Sequence, residues 1–356
     1  MNRSDAEMVR ELRRLIYGNW QTCVTYAFAE LGLADVLGDS SKSVAELAQA
    51  TGTNGDALIR FLRCCGQIGF VRIDTDSGKF FLTPFGKLLG SEHPLSQRDA
   101  ARLNGADYRY QPWGHLVEIL KSGSCDGYSP TVPNGSLEYL ADKPEKLGVF
   151  QRAMTNLSVT EDEAIAGAFD FSPFQHLIDV GCGHGTFMTA ALQANPKLHG
   201  TMFDLPEVFA QLGELPAEYA DRLTRIPGDF FKKIPDHGDV YTLKNVVHNW
   251  PEDKVLQILA KVREAMCASG DPARKRLLIV EYLIPEGNEE SVVKWIDLNF
   301  LVLVDGADRT RGQYIDLAAR AGFAVQQFIP TTTGRHILEL SVISAGPNDK
   351  TAAPRH

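Results

Sequence analysis

Three ionisable side chains stand where acid-base chemistry could be done. His248 lies in Lys244-Asn245-Val246-Val247-His248-Asn249-Trp250-Pro251, directly after the apolar run Val240–Leu243. Glu281 closes the run Leu277-Leu278-Ile279-Val280, where an acid is an odd choice unless it has a partner or a task. Asp308 sits in Gly306-Ala307-Asp308-Arg309-Thr310. A lone histidine ahead of a helix is more often structural than reactive. A carboxylate on its far ring nitrogen changes that, because it fixes the tautomer and stabilises the imidazolium, as the acid does in a Ser-His-Asp triad. A phenol of pKa ~10 giving its proton to an imidazole of pKa ~6.5 faces roughly 5 kcal/mol at reference values, so such help matters. Glu281 and Asp308 are the two candidates for it.

A second group of residues could hold a nucleotide-like ligand. Leu177-Ile178-Asp179-Val180 runs into Gly181-Cys182-Gly183-His184-Gly185, and a helix with Phe187, Ala190, Ala191 and Leu192 on one face follows. Strand, glycine loop and helix let backbone approach a ligand closely and aim helix N–H groups at it. A dinucleotide fingerprint would require its third glycine at 186, which is Thr; glycines at 181, 183 and 185 suit S-adenosylmethionine instead. Asp204, in Phe203-Asp204-Leu205-Pro206, ends the next strand, where a carboxylate can accept from both ribose hydroxyls. In Gly228-Asp229-Phe230-Phe231, Asp229 can accept from an adenine amino group and Phe230 can pack on the ring. Singly these residues could be a helix cap, a turn and a core ring. Together they close three consecutive strands, at the sheet edge where open α/β sheets bind ligands.

The elements that must position these groups follow from periodicity. From Gln175 onward, candidate strands Leu177–Val180, Thr201–Phe203, Leu223–Ile226, Val240–Leu243 and Arg276–Glu281 alternate with helices, the pattern of a parallel sheet covered on both faces. Phe323–Ile329 and His336–Ile343 read as a closing hairpin, after helices at Trp295–Val304 and Tyr314–Ala321. Thr310 and Gln313 form a capping-box pair. Upstream, Ser43 and Asn54 can each cap a short helix, and Gly69–Ile73 can pair with Lys79–Leu82, giving a winged helix. Residues 91–172 read as a largely helical linker, with Trp113, Met154 and Asn156 as candidates for a pocket wall.

A winged helix commonly binds DNA, but the second helix here is not unusually basic and the chain carries a net charge of -9. Affinity for duplex depends on neutralising phosphates, so the module is expected to serve protein contact, with the apolar N-terminal helices beside it. No nucleic-acid partner is expected. No signal-like apolar segment or membrane-length run occurs, so the protein is expected in the cytoplasm with no membrane partner. The six cysteines are scattered and read as reduced, mostly buried thiols. The histidines show no metal-ligand spacing, so no metal is expected.

The motifs Val180–Gly185, Phe203–Pro206, Gly228–Phe231, Leu243-Lys244 with His248-Asn249-Trp250, and Gly306–Thr310 resemble those of the caffeate/hydroxyindole-type O-methyltransferase family, including its bacterial secondary-metabolite branch for phenazines, mitomycins and polyketides. The resemblance spans nearly the whole chain. It implies a Rossmann-like class I methyltransferase sheet of the α/β class with an N-terminal winged-helix dimerisation domain. It divides the chain into that domain at 1–105, a helical linker at 106–172, a cofactor-binding domain at 173–343 and a disordered tail at 344–356.

The resemblance implies S-adenosylmethionine as methyl donor, S-adenosylhomocysteine as product, and a cofactor site of Asp179, Gly181, Gly183, Asp204, Leu205, Gly228, Asp229, Phe230 and Lys244. It implies His248 as base with Glu281 and Asp308 as helpers, and an aromatic acceptor near Trp113, Met154, Asn156, Asn299 and Phe300. It also implies a homodimer, with residues such as Trp20 helping to close the partner's pocket. Two positions depart from the family pattern: Asn249 replaces the usual Asp, and Asp308 the usual Glu, which makes Glu281 the stronger helper assignment. Two other readings stay open, the same fold with decarboxylase or hydroxylase chemistry, and a small-molecule-sensing regulator.

Overall fold

The structure of the protein, a computed structural model, describes residues 4–132, 135–210, 212–215 and 217–343, apart from the side chains at 135, 137, 138 and 155–160. The expected tail at 344–356 lies outside the described residues. The chain divides into two compact units, residues 1–121 with 127–157, and residues 122–126 with 158–356.

The first unit is built from helices and one small hairpin. Ser43 and Glu46 close a capping box on the helix Val44–Thr51, and Asn54 accepts from the N–H of Ala57 at the start of Gly55–Ile68. Strands β1 (Val71–Ile73) and β2 (Phe80–Leu82) pair antiparallel beside them. Phe28, Leu37, Leu47, Leu62 and Phe70 fill the core between these elements. The first helix, Asp5–Ile16, buries none of its residues, and its Leu12, Leu15 and Ile16 are exposed.

The second unit carries a seven-stranded sheet: β3 (His176–Val180), β4 (His199–Asp204), β5 (Leu223–Pro227), β6 (Val240–Lys244), β7 (Arg276–Tyr282), β8 (Phe323–Pro330) and β9 (Arg335–Val342). Their order is β5-β4-β3-β6-β7-β9-β8. The first five are parallel, and β9 lies antiparallel between β7 and β8. Strand alternation divides the side chains between two apolar layers. Ile178, Tyr241, Leu277 and Ile279 pack with Ile258 and Leu317 on one face; Leu177, Val240 and Leu278 pack with Ile165, Phe187 and Leu192 on the other. The order reverses between β3 and β6, and the carboxyl ends on either side of such a reversal form a crevice suited to a ligand.

All six cysteines are free, but Cys23, Cys64 and Cys267 are exposed, against the expectation of mostly buried thiols. Cys64 shows why: it stands next to buried Cys65 on the outer face of an amphipathic helix. Among the described residues no helix is long and apolar enough to cross a membrane.

Candidate active site

His248 is placed by a sharp turn after β6. Asn245 adopts a left-handed conformation, φ 58°, which asparagine tolerates better than most side chains. Its N–H donates to the carbonyl of Val280, extending the β6–β7 ladder by one bond, and the chain then enters the single turn Val247–Asn249. The Asn249 amide donates to the carbonyl of Asn245 at 2.8 Å. An ionised aspartate at 249 could not donate that bond, which gives the departure at this position a structural use.

Glu281 is completely buried at the end of β7. Its Oε1 accepts from the N–H of Val247 at 3.1 Å and, longer, of His248 at 3.4 Å. Its Oε2 lies 2.6 Å from Nδ1 of His248, a close contact without the alignment of a hydrogen bond. Asp308 Oδ1 is 3.8 Å from the same nitrogen. The pairing at Nδ1 leaves Nε2 as the ring nitrogen free for an acceptor proton. Phe300 stacks on the imidazole, with centroids 4.3 Å apart and planes at 23°.

The segment carrying Asp308 is fixed from several sides. Leu283 and Arg309 form a parallel bridge beyond β7, Asp308 N–H donates to Asp297 Oδ1, and Thr310 caps the helix Arg311–Arg320 through the expected box with Gln313. A Cβ on Gly306 would overlap the carbonyl oxygen of His248, so the two backbones touch. Burial pushes the Asp308 carboxyl up to about 7, with the charges of Glu281 and Asp297 adding to the rise and His248 and Arg335 opposing it. A ring nitrogen of His248 and carboxylate oxygens of Glu281 and Asp308 lie within 4.8 Å of one another, so the three groups interact electrostatically.

The glycine loop sits at the other side of the strand reversal. Gly181, Gly183 and Gly185 all have positive φ, and the Gly181 N–H donates to the carbonyl of Phe203. Asp204 holds the loop, accepting from Gly183 N–H at 2.8 Å and from Leu205 N–H at 2.7 Å, and burial raises its pKa. Asp229 Oδ1 accepts from the Phe231 N–H and Oδ2 meets Lys232 at 3.2 Å, so its turn role exists alongside any ligand role. Phe230 packs edge-on against Phe231 and Trp250 and lies close to Gly181. Gly228 accommodates the Phe203 ring where a Cβ would clash.

Asp179 accepts from Thr242 Oγ1 at 2.6 Å through one oxygen; the other is buried without a hydrogen-bond partner among the described residues, and burial pushes the carboxyl up to about 6. Lys244 pairs with Asp162 at 2.7 Å. Lys244, Asp162 and Asp204 all lie within electrostatic reach of Asp179, one of whose oxygens has no hydrogen-bond partner among the described residues. Such a site fits a ligand that brings positive charge, as the ammonium and sulfonium of S-adenosylmethionine do.

Of the proposed acceptor residues, Asn299 and Phe300 are half-buried on the helix Val292–Val304. Trp113 is half-buried in the first unit, where Met154 packs against the cluster of Leu103, Tyr108 and Val149. The Asn156 side chain lies outside the described residues. Asp162, Thr186, Thr242 and Asn245 were not singled out from sequence. Only the apolar stretch around Thr242 hinted that a polar residue there needs a partner.

Residues 113–324 match the O-methyltransferase domain family. The chain is 37% identical to a phenazine O-methyltransferase of Lysobacter antibioticus over 92% of its own length and 94% of the relative's. It is 32% identical to a mitomycin biosynthesis 6-O-methyltransferase of Streptomyces lavendulae, over 90% of both chains. Among solved structures, a methyltransferase of calicheamicin biosynthesis with S-adenosylhomocysteine bound matches at TM-score 0.77 and 28% identity, covering 96% of this chain and 100% of that one.

Proposed function

This chain belongs to the O-methyltransferase family, and on that premise we propose that it methylates a hydroxyl of an aromatic small molecule such as a phenazine, quinone or polyketide phenol, with His248 as general base. Its cofactor is S-adenosylmethionine and its place is in the secondary-metabolite branch of the family. The observation that carries the choice of base is the 2.6 Å contact between buried Glu281 and Nδ1 of His248.

The bound cofactor supplies a methyl group on a positively charged sulfur, whose leaving thioether is neutral and needs no proton. The chain's own work lies with the acceptor. Nε2 of His248 takes the hydroxyl proton, Glu281 stabilises the imidazolium from the other nitrogen, and Asp308 adds a second nearby carboxylate. Phe300 holds the ring plane. Asp204 and Asp229 would hold the ribose and adenine ends of the cofactor, Phe230 would pack on the adenine, and Asp179, Lys244, Leu205, Gly228 and the glycine loop would complete its site. Asn299 and Phe300 contribute to acceptor binding. The protein acts in the cytoplasm as a homodimer; the helix Asp5–Ile16, apolar on one side and burying nothing within its own chain, supports that reading.

The test is incubation with labelled S-adenosylmethionine and a panel of hydroxylated aromatics and aromatic amines, with methyl transfer read by mass spectrometry. Transfer to phenols that disappears in His248→Ala supports the proposal. Transfer only to ring nitrogens, which carry their own lone pair and need no base, and which survives His248→Ala, would replace it with N-methylation.

A further inference from the structure

One buried acid takes no part in the chemistry above. Asp162, near the end of the helix Pro144–Ala168, is 2% exposed. Its Oδ1 faces Nζ of Lys244 at 2.7 Å, and its Oδ2 accepts from Thr186 Oγ1. Lys244 ends β6, and Thr186 opens the helix that follows the glycine loop. Strand alternation puts Asp179, Thr242 and Lys244 on the same face of the sheet as that helix. Asp162 therefore links β6, the parallel neighbour of the strand β3 that leads into the glycine loop, to the helix Thr186–Ala194 that follows the loop.

A carboxylate at such a position costs several kcal/mol in lost hydration unless it is paired. An apolar residue would pack there without that cost. The immediate surroundings are also unbalanced, because Asp179 faces the charges of Asp162 and Asp204 as well as that of Lys244 and keeps an oxygen with no hydrogen-bond partner among the described residues. A tie between two elements accounts for the two contacts of Asp162; it does not account for placing a charged acid where Asp179 already faces Lys244, next to a ligand loop.

We propose that Asp162 is a positioning residue of the cofactor site: by holding Lys244 and Thr186 it fixes the glycine loop and shapes the pocket for the amino-acid end of S-adenosylmethionine. The inference rests on the cofactor assignment and not on the identity of the acceptor. It predicts that Asp162 controls cofactor affinity rather than turnover, and that it does so through Lys244.

The test is isothermal titration of S-adenosylhomocysteine into the full-length protein and its variants, with circular dichroism to check folding. Asp162→Asn keeps the volume and an acceptor for Thr186 but removes the charge facing Lys244. Its dissociation constant should rise about tenfold, the worth of one charge-assisted hydrogen bond, while kcat at saturating cofactor stays within about threefold. Lys244→Met should weaken binding as well, and the double variant should be no weaker than Lys244→Met alone, because independent sites would multiply their effects and a coupled pair does not. Should Asp162→Asn not fold, Thr186→Val removes a single hydroxyl at nearly constant volume and should still weaken binding about threefold. Unchanged affinity in a folded Asp162→Asn or Thr186→Val protein, or losses that multiply independently in the double variant, would overturn the proposal. Absence of methyl transfer to any phenol with ligand binding intact would instead count against the acceptor reading and leave this one standing.

Discussion

Nδ1 of His248 stands 2.6 Å from Oε2 of Glu281, while the other oxygen of that carboxylate accepts the N–H of Val247. One side chain thus orders both the ring and the backbone that presents it. This double role separates what different substitutions should do.

Replacing His248 with Ala removes the proposed proton acceptor but leaves the glycine loop and its carboxylates alone. Turnover should fall about 10²–10⁴-fold, the usual worth of a general base, with the affinity for S-adenosylhomocysteine unchanged by calorimetry. Wild-type turnover across the pH range in this variant would remove His248 as the base.

Glu281→Gln keeps an oxygen for the N–H groups of Val247 and His248 but carries no charge to stabilise an imidazolium. Its melting temperature should stay close to the wild-type value while turnover drops at least about tenfold. Glu281→Ala orphans a buried N–H as well and should cost about 1–3 kcal/mol of stability in denaturant titration. Equal activity in Gln and wild type would show that only the geometry of Glu281 matters.

Asp308 gives a pH signature. Its carboxyl is held at about 7 against an ordinary value of 3.8. The folded protein therefore keeps a proton that the unfolded chain has released, and the stabilisation this brings is complete below about pH 4 and is lost as pH rises through about 7. Asp308→Asn should remove that decline, so wild-type and variant stabilities should diverge between pH 4 and pH 7 when followed by urea unfolding. Parallel curves across this range would place the Asp308 pKa near its ordinary value.

Gly306→Ala tests the contact between the two backbone segments of the site. The added methyl overlaps the carbonyl oxygen of His248, and backbone cannot move aside as a flexible side chain can. A loss of about 1–3 kcal/mol in stability and a larger proportional loss in turnover are expected. A variant with normal kcat would mean that the His248 turn shifts without consequence.

Assembly is tested on the helix Asp5–Ile16. Leu12→Glu combined with Ile16→Glu leaves the cores of both units intact, since neither residue is buried. The double variant should run as a monomer in sedimentation velocity where the wild type runs as a dimer. A wild type that is monomeric at micromolar concentration would end the homodimer proposal.

Much of the frame could be read in advance because parallel strands buried on both faces are nearly continuous apolar runs. β3, β6 and β7 stand on such runs, and all seven strands of the large sheet fall where strands are expected, with ends shifted by a residue or two. Ser43, Asn54 and Thr310 cap their helices as their side chains suggest. Glu281 was visible for the opposite reason, as an acid closing an apolar strand. Asp162 was not, because in Thr160-Glu161-Asp162-Glu163 it looks like its neighbours, and the exposed Glu163 shows what such an acid usually is. Its partners Thr186 and Lys244 are distant in sequence, and local periodicity carries no information about them. The shelf that Phe300 offers to His248 was hidden in the same way, since an aromatic residue on an apolar helix reads equally as core or as pocket wall.

The two hydrophobic layers flank the sheet, whereas His248, Asp308 and the glycine loop stand on connections beyond its strand ends. The groups proposed to react and to hold the cofactor thus stand apart from those that fill the core. A scaffold divided in this manner lets a reactive side chain such as His248 be exchanged while the melting temperature hardly moves.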